Sequence, residues 1–199
     1  MKELEVSTNF MDGSVPATLA SMTAMTELLL FENSFSGSIP SFIGNFTGLS
    51  YLYVQDNLFI GAIPSTFCSL VNVSYLLMDE NRLSSSIPDC IGSLSNLEIV
   101  SFATNCLTGS IPPSIGNMTL LNYLFLNSNN FMSTVPDSFG SLTALSFLYL
   151  DSNSLTGSIP DPITSFQLLQ YFSLGKCFSA ICGVEWSLCC HVTFLFIVL

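Results

Sequence analysis

The chain has one histidine, His191, and three cationic residues, Lys2, Arg82 and Lys176, among 199. The histidine lies in an apolar tail, so neither Ser/His/Asp chemistry nor a histidine-rich metal site has its parts. No G-x-G-x-x-G, Walker or H-R-D sequence occurs either. Three cations against 14 acids give a net charge of −11, which excludes nucleic acid as a partner for want of a basic patch. A partner steered by charge is basic or neutral. Charged residues make up only 9% of the chain against 49% hydrophobic, an odd balance for a compact soluble domain. Long apolar runs are missing too: 14 residues remain from Trp186 to the end, short of the ~20 that span a bilayer. These absences describe a chain that is not an enzyme and that uses no cofactor and no metal.

What is present in excess is repetition. Residues 33–40 read NSFSGSIP and residues 153–160 read NSLTGSIP. Stepping by 24 residues meets asparagine every time: Asn9, Asn33, Asn57, Asn81, Asn105, Asn129 and Asn153. Proline follows seven residues later, at Pro16, Pro40, Pro64, Pro88, Pro112, Pro136 and Pro160, each preceded by Val or Ile. Four residues after the Asn stands Gly13, Gly37, Gly61, Gly109 or Gly157, with Ser85 and Ser133 as exceptions.

Apolar columns keep the same register. Five and three residues before the Asn lie pairs such as Leu28 and Leu30, Leu52 and Val54, Leu124 and Leu126, whose alternation predicts a short strand in each repeat. Met11, Phe35, Phe59, Leu83, Leu107, Phe131 and Leu155 form a further inward column two residues after it. One coil cannot shield such a row, but stacked coils bury it between neighbours. An inward Asn carries donors and an acceptor together, so it can bond the backbone of its own and the next coil, making the seven asparagines a structural ladder. Glycine permits backbone angles that a side chain opposes, and proline removes a donor where the coil bends.

The pattern L-x-x-L-x-L-x-x-N-x-L-x-G-x-I-P, carried by LNYLFLNSN at 121–129 and LSFLYLDSNSLTGSIP at 145–160, resembles the 24-residue leucine-rich repeat of plant-type extracellular receptors. The resemblance implies an α/β repeat solenoid, a right-handed superhelix with a concave parallel β-sheet and a convex face of short helices and loops. It covers residues 1–177, seven complete repeats plus the strand of an eighth. Residues 178–199 form an atypical apolar, Cys-containing tail, read as a truncated or mis-assigned end, an apolar cap, or a membrane anchor. Met1 falls where the first leucine of a repeat belongs, and MKELEVSTNF has no apolar stretch after its lysine, so no signal peptide is expected in this chain. The expectation is a fragment.

Sequons stand at Asn45, Asn72 and Asn117, none on the Asn ladder, and are read as glycosylation sites if the protein is secreted. Cys68, Cys90 and Cys106 occupy different positions in their coils, without the partners of a disulfide framework, and read as small packed side chains. Cys177 stands on the Asn rung of an eighth coil, while Cys182, Cys189 and Cys190 resemble the cysteines of a terminal cap.

The concave face is read from the strand positions that do not point inward. These give Tyr51, Tyr53, Tyr75, Tyr123, Phe125, Phe147 and Tyr149, with Asp56, Asp79, Glu80 and Asp151 at the strand ends. One reading is an aromatic and acidic stripe that binds a ligand; the other is ordinary cross-strand packing of rings. Both stand at this stage. The resemblance implies a non-catalytic recognition module, part of an extracellular receptor-like protein or receptor-like kinase at the cell surface. Its partners are a peptide, protein or glycan ligand and a co-receptor, with membrane association through a missing or truncated C-terminal segment. The alternatives are a secreted hydrolase inhibitor, a structural scaffold, or a gene remnant without independent function.

Overall fold

The computed structural model describes residues 1–161, 163 and 166–175. Each of the first seven coils begins with a three-residue strand and turns at its Asn into a second strand. In chain order these are β1 (Glu3–Glu5) and β2 (Asp12–Gly13), β3 (Glu27–Leu29) and β4 (Ser34–Ser38), β5 (Tyr51–Tyr53) and β6 (Leu58–Gly61), β7 (Tyr75–Leu77) and β8 (Arg82–Ser85). There follow β9 (Ile99–Ser101) and β10 (Cys106–Gly109), β11 (Tyr123–Phe125) and β12 (Asn130–Ser133), β13 (Phe147–Tyr149) and β14 (Ser154–Leu155), and finally β15 (Tyr171–Ser173). Odd-numbered strands make one eight-stranded sheet in sequence order, and even-numbered strands make a second sheet of seven. The solenoid expected from the repeat is present, but the expectation did not include the second sheet.

Behind the strands each of the first six coils closes through a short 3-10 turn, such as Ser41–Asn45, Ser65–Ser69, Asp89–Ser93 and Pro113–Asn117. The repeat proline explains where it starts. Pro40, Pro64, Pro88 and Pro112 hold φ between −66° and −62°, and each carbonyl accepts a bond from the N–H three residues on.

The core runs unbroken along the array. Leu28, Leu52, Leu76, Leu124 and Leu148 from the odd strands are fully buried, as are Phe59, Phe67, Phe102, Phe131 and Phe139 from the rest of the coil. Each such side chain contributes roughly 1.5–3 kcal/mol by leaving water. The first coil departs from the expected inward pattern: Leu4, Val6, Leu19 and Met22 are half-buried, and Met11 is 45% exposed. That coil has a neighbour on one side only.

The Asn ladder is the polar counterpart of this core. The Asn57 Nδ2 donates to the carbonyls of Leu30 at 3.0 Å and Gln55 at 3.1 Å, while its Oδ1 accepts the Phe35 N–H at 2.9 Å. Asn81, Asn105 and Asn129 repeat the set. The side chain therefore bonds its own coil and the preceding one, a correction to the direction expected; only the Asn backbone N–H reaches forward, from Asn57 to the carbonyl of Glu80. The residue just before each Asn is left-handed, from Thr8 through Asp56 to Ser152, at φ of 51° to 56°. The Gly column is left-handed as well, and Ser85 and Ser133 are held there at φ 69° and 76°.

Register differs between front and back. Odd strands pair with a step of 24, Tyr51 opposite Tyr75, whereas even strands pair with a step of 22, Ser36 opposite Leu58. The 3-10 turns follow the shorter step: a Cβ on Gly44 would run into the backbone of Thr66, and one on Gly92 or Gly116 into Ser114 or Ser138. In the one intervening coil that column holds Cys68, and 22 residues on stands Cys90. The two form a disulfide with Cα atoms 5.6 Å apart. This corrects the reading of both as unpartnered packing cysteines, and Cys106 on β10 is not a free thiol either. The loop closed by the Cys68–Cys90 bridge is worth about 3 kcal/mol in chain entropy. Cys177 and the tail at 178–199, with its three cysteines, lie outside the described residues.

Two substitutions test this account in opposite directions. Asn105→Ala strands the buried Leu83 N–H and leaves the Met78 carbonyl only the longer bond from Asn81 at 3.4 Å, so chemical denaturation should show a loss of about 2 kcal/mol or more, against under about 1 kcal/mol for Asn9→Ala on the exposed first rung. Ser85→Gly and Ser133→Gly relieve left-handed strain and should each add about 0.5–1 kcal/mol.

Candidate functional site

A strand sends alternate side chains to opposite faces, so with Leu52, Leu76 and Leu124 locked into the core, their neighbours must stand on the concave sheet. All seven aromatic residues singled out from the sequence do so, half-buried. They fall into two shelves. Tyr51 lies 6.1 Å from Tyr53 and 5.2 Å from Tyr75, ring centre to ring centre, and Phe31 joins at 6.3 Å from Tyr53. On the second shelf Tyr123 stacks on Phe147 at 4.9 Å, Phe125 meets Tyr149 at 5.1 Å, and Tyr149 stacks on Tyr171 at 4.5 Å. Ring-on-ring packing is thus real, at roughly 0.5–1.5 kcal/mol per pair. Each of these residues nevertheless stays partly exposed to solvent.

Between the shelves the stripe breaks. The coil of β9 presents Ile99, Ser101 and Ala103 where its neighbours carry rings or longer groups, and an open depression of about 430 Å³ results. Asp79 and Glu80, from the coil of β7, line one side; Phe125 and Asn127, from the coil of β11, line the other. Ser101 is 5% exposed beside the Asp79 carboxylate. Burial raises the Asp79 pKa, Asp56 nearby pushes in the same direction, and the Ser101 hydroxyl and the Asp79 backbone, which favour the ionised form, only partly offset them. Burial first, then neighbouring Tyr and acidic groups, raises Tyr53 and Tyr149, so both phenols keep their proton at physiological pH.

Of the acids named from the sequence, Asp79 and Glu80 line the depression, Asp56 is exposed beside them, and Asp151 stands at the far shelf next to Tyr149. Reading the two strand columns alone missed Phe31, which lies two residues before its Asn. That column continues the concave face past the strand end and also carries Gln55, Asp79, Ala103 and Asn127. Ser101 was visible in the strand column but carried no chemical signal by itself. No Lys or Arg stands in any of these columns, and among the described residues no cluster of His, Cys, Asp or Glu is arranged to hold a metal.

The model of the leucine-rich repeat matches residues 24–46, 48–70, 96–118, 120–142 and 144–166, and the chain belongs to this family. No curated protein sequence matches it. Among solved structures it is similar to the ectodomain of the Arabidopsis thaliana membrane receptor kinase GASSHO1/SCHENGEN3 in complex with Casparian strip integrity factor 2. That match has 34% identity and a TM-score of 0.86, over 87% of this chain and 21% of that one. The plant peptide hormone receptor RGFR1 in complex with RGF2 follows at 31% and 0.85, over 87% and 28%. The Arabidopsis receptor kinase HAESA, with the peptide hormone IDA and the co-receptor SERK1, matches at 30% and 0.75, over 88% and 34%. The chain spans between a fifth and about a third of the length of these receptors.

The raised Asp79 carboxyl predicts a pH dependence. The group is neutral in both folded and unfolded chains at low pH; as pH rises, the unfolded chain ionises first, and stability falls as pH passes through the folded value. Asp79→Asn should therefore melt higher than the parent near neutral pH, and the gap should close below the ordinary aspartate range. A gap independent of pH would contradict the assignment.

Proposed function

We propose that this chain is the recognition part of an extracellular receptor-like protein or receptor-like kinase, and that it binds an extended peptide across the odd-numbered strands. The observation that carries this is the pair of half-exposed aromatic shelves separated by a depression on a rigid sheet. Such a surface offers apolar area and polar tips at fixed spacing, which is what an extended chain with alternating side chains can use. The peptide complexes of the similar receptors support the same class of ligand. A protein co-receptor is a further partner on this reading. The module itself is non-catalytic, its role being to hold and present.

An extracellular location accords with the Cys68–Cys90 bridge, since disulfides persist in oxidising compartments. The sequons fit as well. Asn45 and Asn117 are exposed at the ends of their 3-10 turns, outside the concave strands. Asn72 is exposed too, but its Nδ2 already donates to the carbonyl of Thr47 at 2.8 Å. Glycan occupancy is therefore expected to be high at Asn45 and Asn117 and lower at Asn72.

The test is selection of random linear dodecapeptides displayed on phage against the secreted, disulfide-bonded chain. Enriched peptides should bind Tyr51→Ala and Tyr123→Ala at least about tenfold more weakly, while each variant loses only about 1 kcal/mol of stability through its ring contacts. Enrichment of no peptide, or equal binding to both variants, would overturn the reading.

A further inference from the structure

We propose that the depression between the aromatic shelves is a specificity pocket for one basic side chain of the ligand, arginine in preference to lysine. The inference rests on the reading of the concave sheet as a peptide-binding surface, and it adds the chemistry of the residue at the centre of that peptide.

Three features of the pocket point the same way. The first is shape. The pocket exists because the coil of β9 carries Ile99, Ser101 and Ala103 between ring-bearing neighbours, so an incoming side chain has room to descend there. The second is charge. Asp79 and Glu80 form one wall, Asp56 lies close enough to perturb Asp79, and among the described residues no cation stands on the concave columns to neutralise them. A carboxylate so placed lacks a partner of opposite sign, and a ligand guanidinium or ammonium would supply one. The third is the opposite wall, where Phe125 presents a ring. A planar guanidinium can stack against an aromatic face while its N–H groups reach a carboxylate; a compact ammonium gains less from the ring.

The Ser101 hydroxyl gives the arrangement its direction. It belongs to a buried residue and favours the ionised form of Asp79, which keeps charge on that wall of the pocket. The surrounding burial works against the ionised form of Asp79, and nothing in the stacking of the coils requires an acid at this position. The same column holds Phe31, Gln55, Ala103 and Asn127 in other coils, with a second acid, Asp151, only at the far shelf. An acid that costs the fold stability and has no structural task is accounted for by what it binds.

Spacing sets the register of the ligand. Tyr75 on β7 and Tyr123 on β11 are two strand steps apart, roughly 10 Å, and an extended peptide advances ~3.3 Å per residue. The basic residue therefore sits between two apolar or aromatic residues about three positions apart, one on each shelf.

The experiment reads the same dodecapeptide selection for sequence rather than for yield. Enriched peptides should share an Arg flanked by apolar residues. Synthetic versions should lose at least about tenfold in affinity for Asp79→Asn, and a comparable amount when the Arg is replaced by citrulline, which keeps the shape and drops the charge. Asp137→Asn, which removes the same charge from the 3-10 turn Asp137–Ser141 on the back of the coil, should leave affinity within about twofold and so accounts for the general effect of the net charge. Asp79→Asn should at the same time be no less stable than the parent, so misfolding cannot produce the loss. Peptides that bind the shelves without a basic residue, or that bind Asp79→Asn and Asp137→Asn alike, would overturn this inference while leaving the peptide-binding reading in place. Failure to enrich any peptide would remove both.

Discussion

One side-chain amide, placed in the same spot every 24 residues, holds the polar interior of this protein together. At the strand exit the backbone turns through a left-handed residue, and carbonyls ahead of that turn, such as those of Leu30 and Val54, accept their side-chain bonds in the buried interior. Left alone, each would cost about 1–3 kcal/mol. The Asn satisfies carbonyls of two successive coils with its Nδ2 and an N–H of the preceding coil with its Oδ1. Leucine would fill the space and strand the carbonyls, and aspartate would set oxygen against oxygen. Because every rung ties one coil to the one before it, the coils cannot slide, and the apolar columns between them stay in register.

That fixed register turns a sheet into a recognition surface. A side chain at a given position of one odd-numbered strand lies opposite the residue 24 further on, so the order of residues along a column becomes an order in space. The column through Tyr51, Tyr75, Ile99, Tyr123 and Phe147 reads as ring, ring, gap, ring, ring. Beside it, the column through Gln55, Asp79 and Ala103 puts the acid next to that gap. Neither the shelves nor the depression depends on a flexible loop, so the surface is organised before any ligand arrives, which lowers the entropic cost of binding.

The concave half of this arrangement was legible in the sequence because there the structural step equals the sequence repeat. Aligning the chain on its asparagines put Tyr123 beside Phe147 and named both for the site. The back of the coil was not legible by the same means, because its facing step is 22. Cys68 and Cys90 sit at different positions in a 24-residue alignment and yet face one another across the 3-10 turns. The glycines of that column gave the only hint, since Gly44, Gly92 and Gly116 mark a close approach that Cys68 interrupts. The second sheet was hidden for another reason. Segments such as SFSGS carry the alternation of a strand, but their Gly and nearby Pro argue against one. The pocket was half visible: Asp79 and Glu80 were named, but a site formed by the smallness of Ser101 and Ala103 leaves no motif to find.

The ladder is open to direct measurement through the exchange of Asn side-chain amide protons with solvent, followed by NMR. If the amides of Asn57, Asn81, Asn105 and Asn129 are buried and bonded across coils, their protons should exchange, in protein produced without glycosylation, at least a hundredfold or so more slowly than those of the exposed Asn45 and Asn117. Exchange of the rung amides at the rate of the surface ones would mean that they meet bulk water, and the stacked-coil account of both the core and the concave face would be wrong.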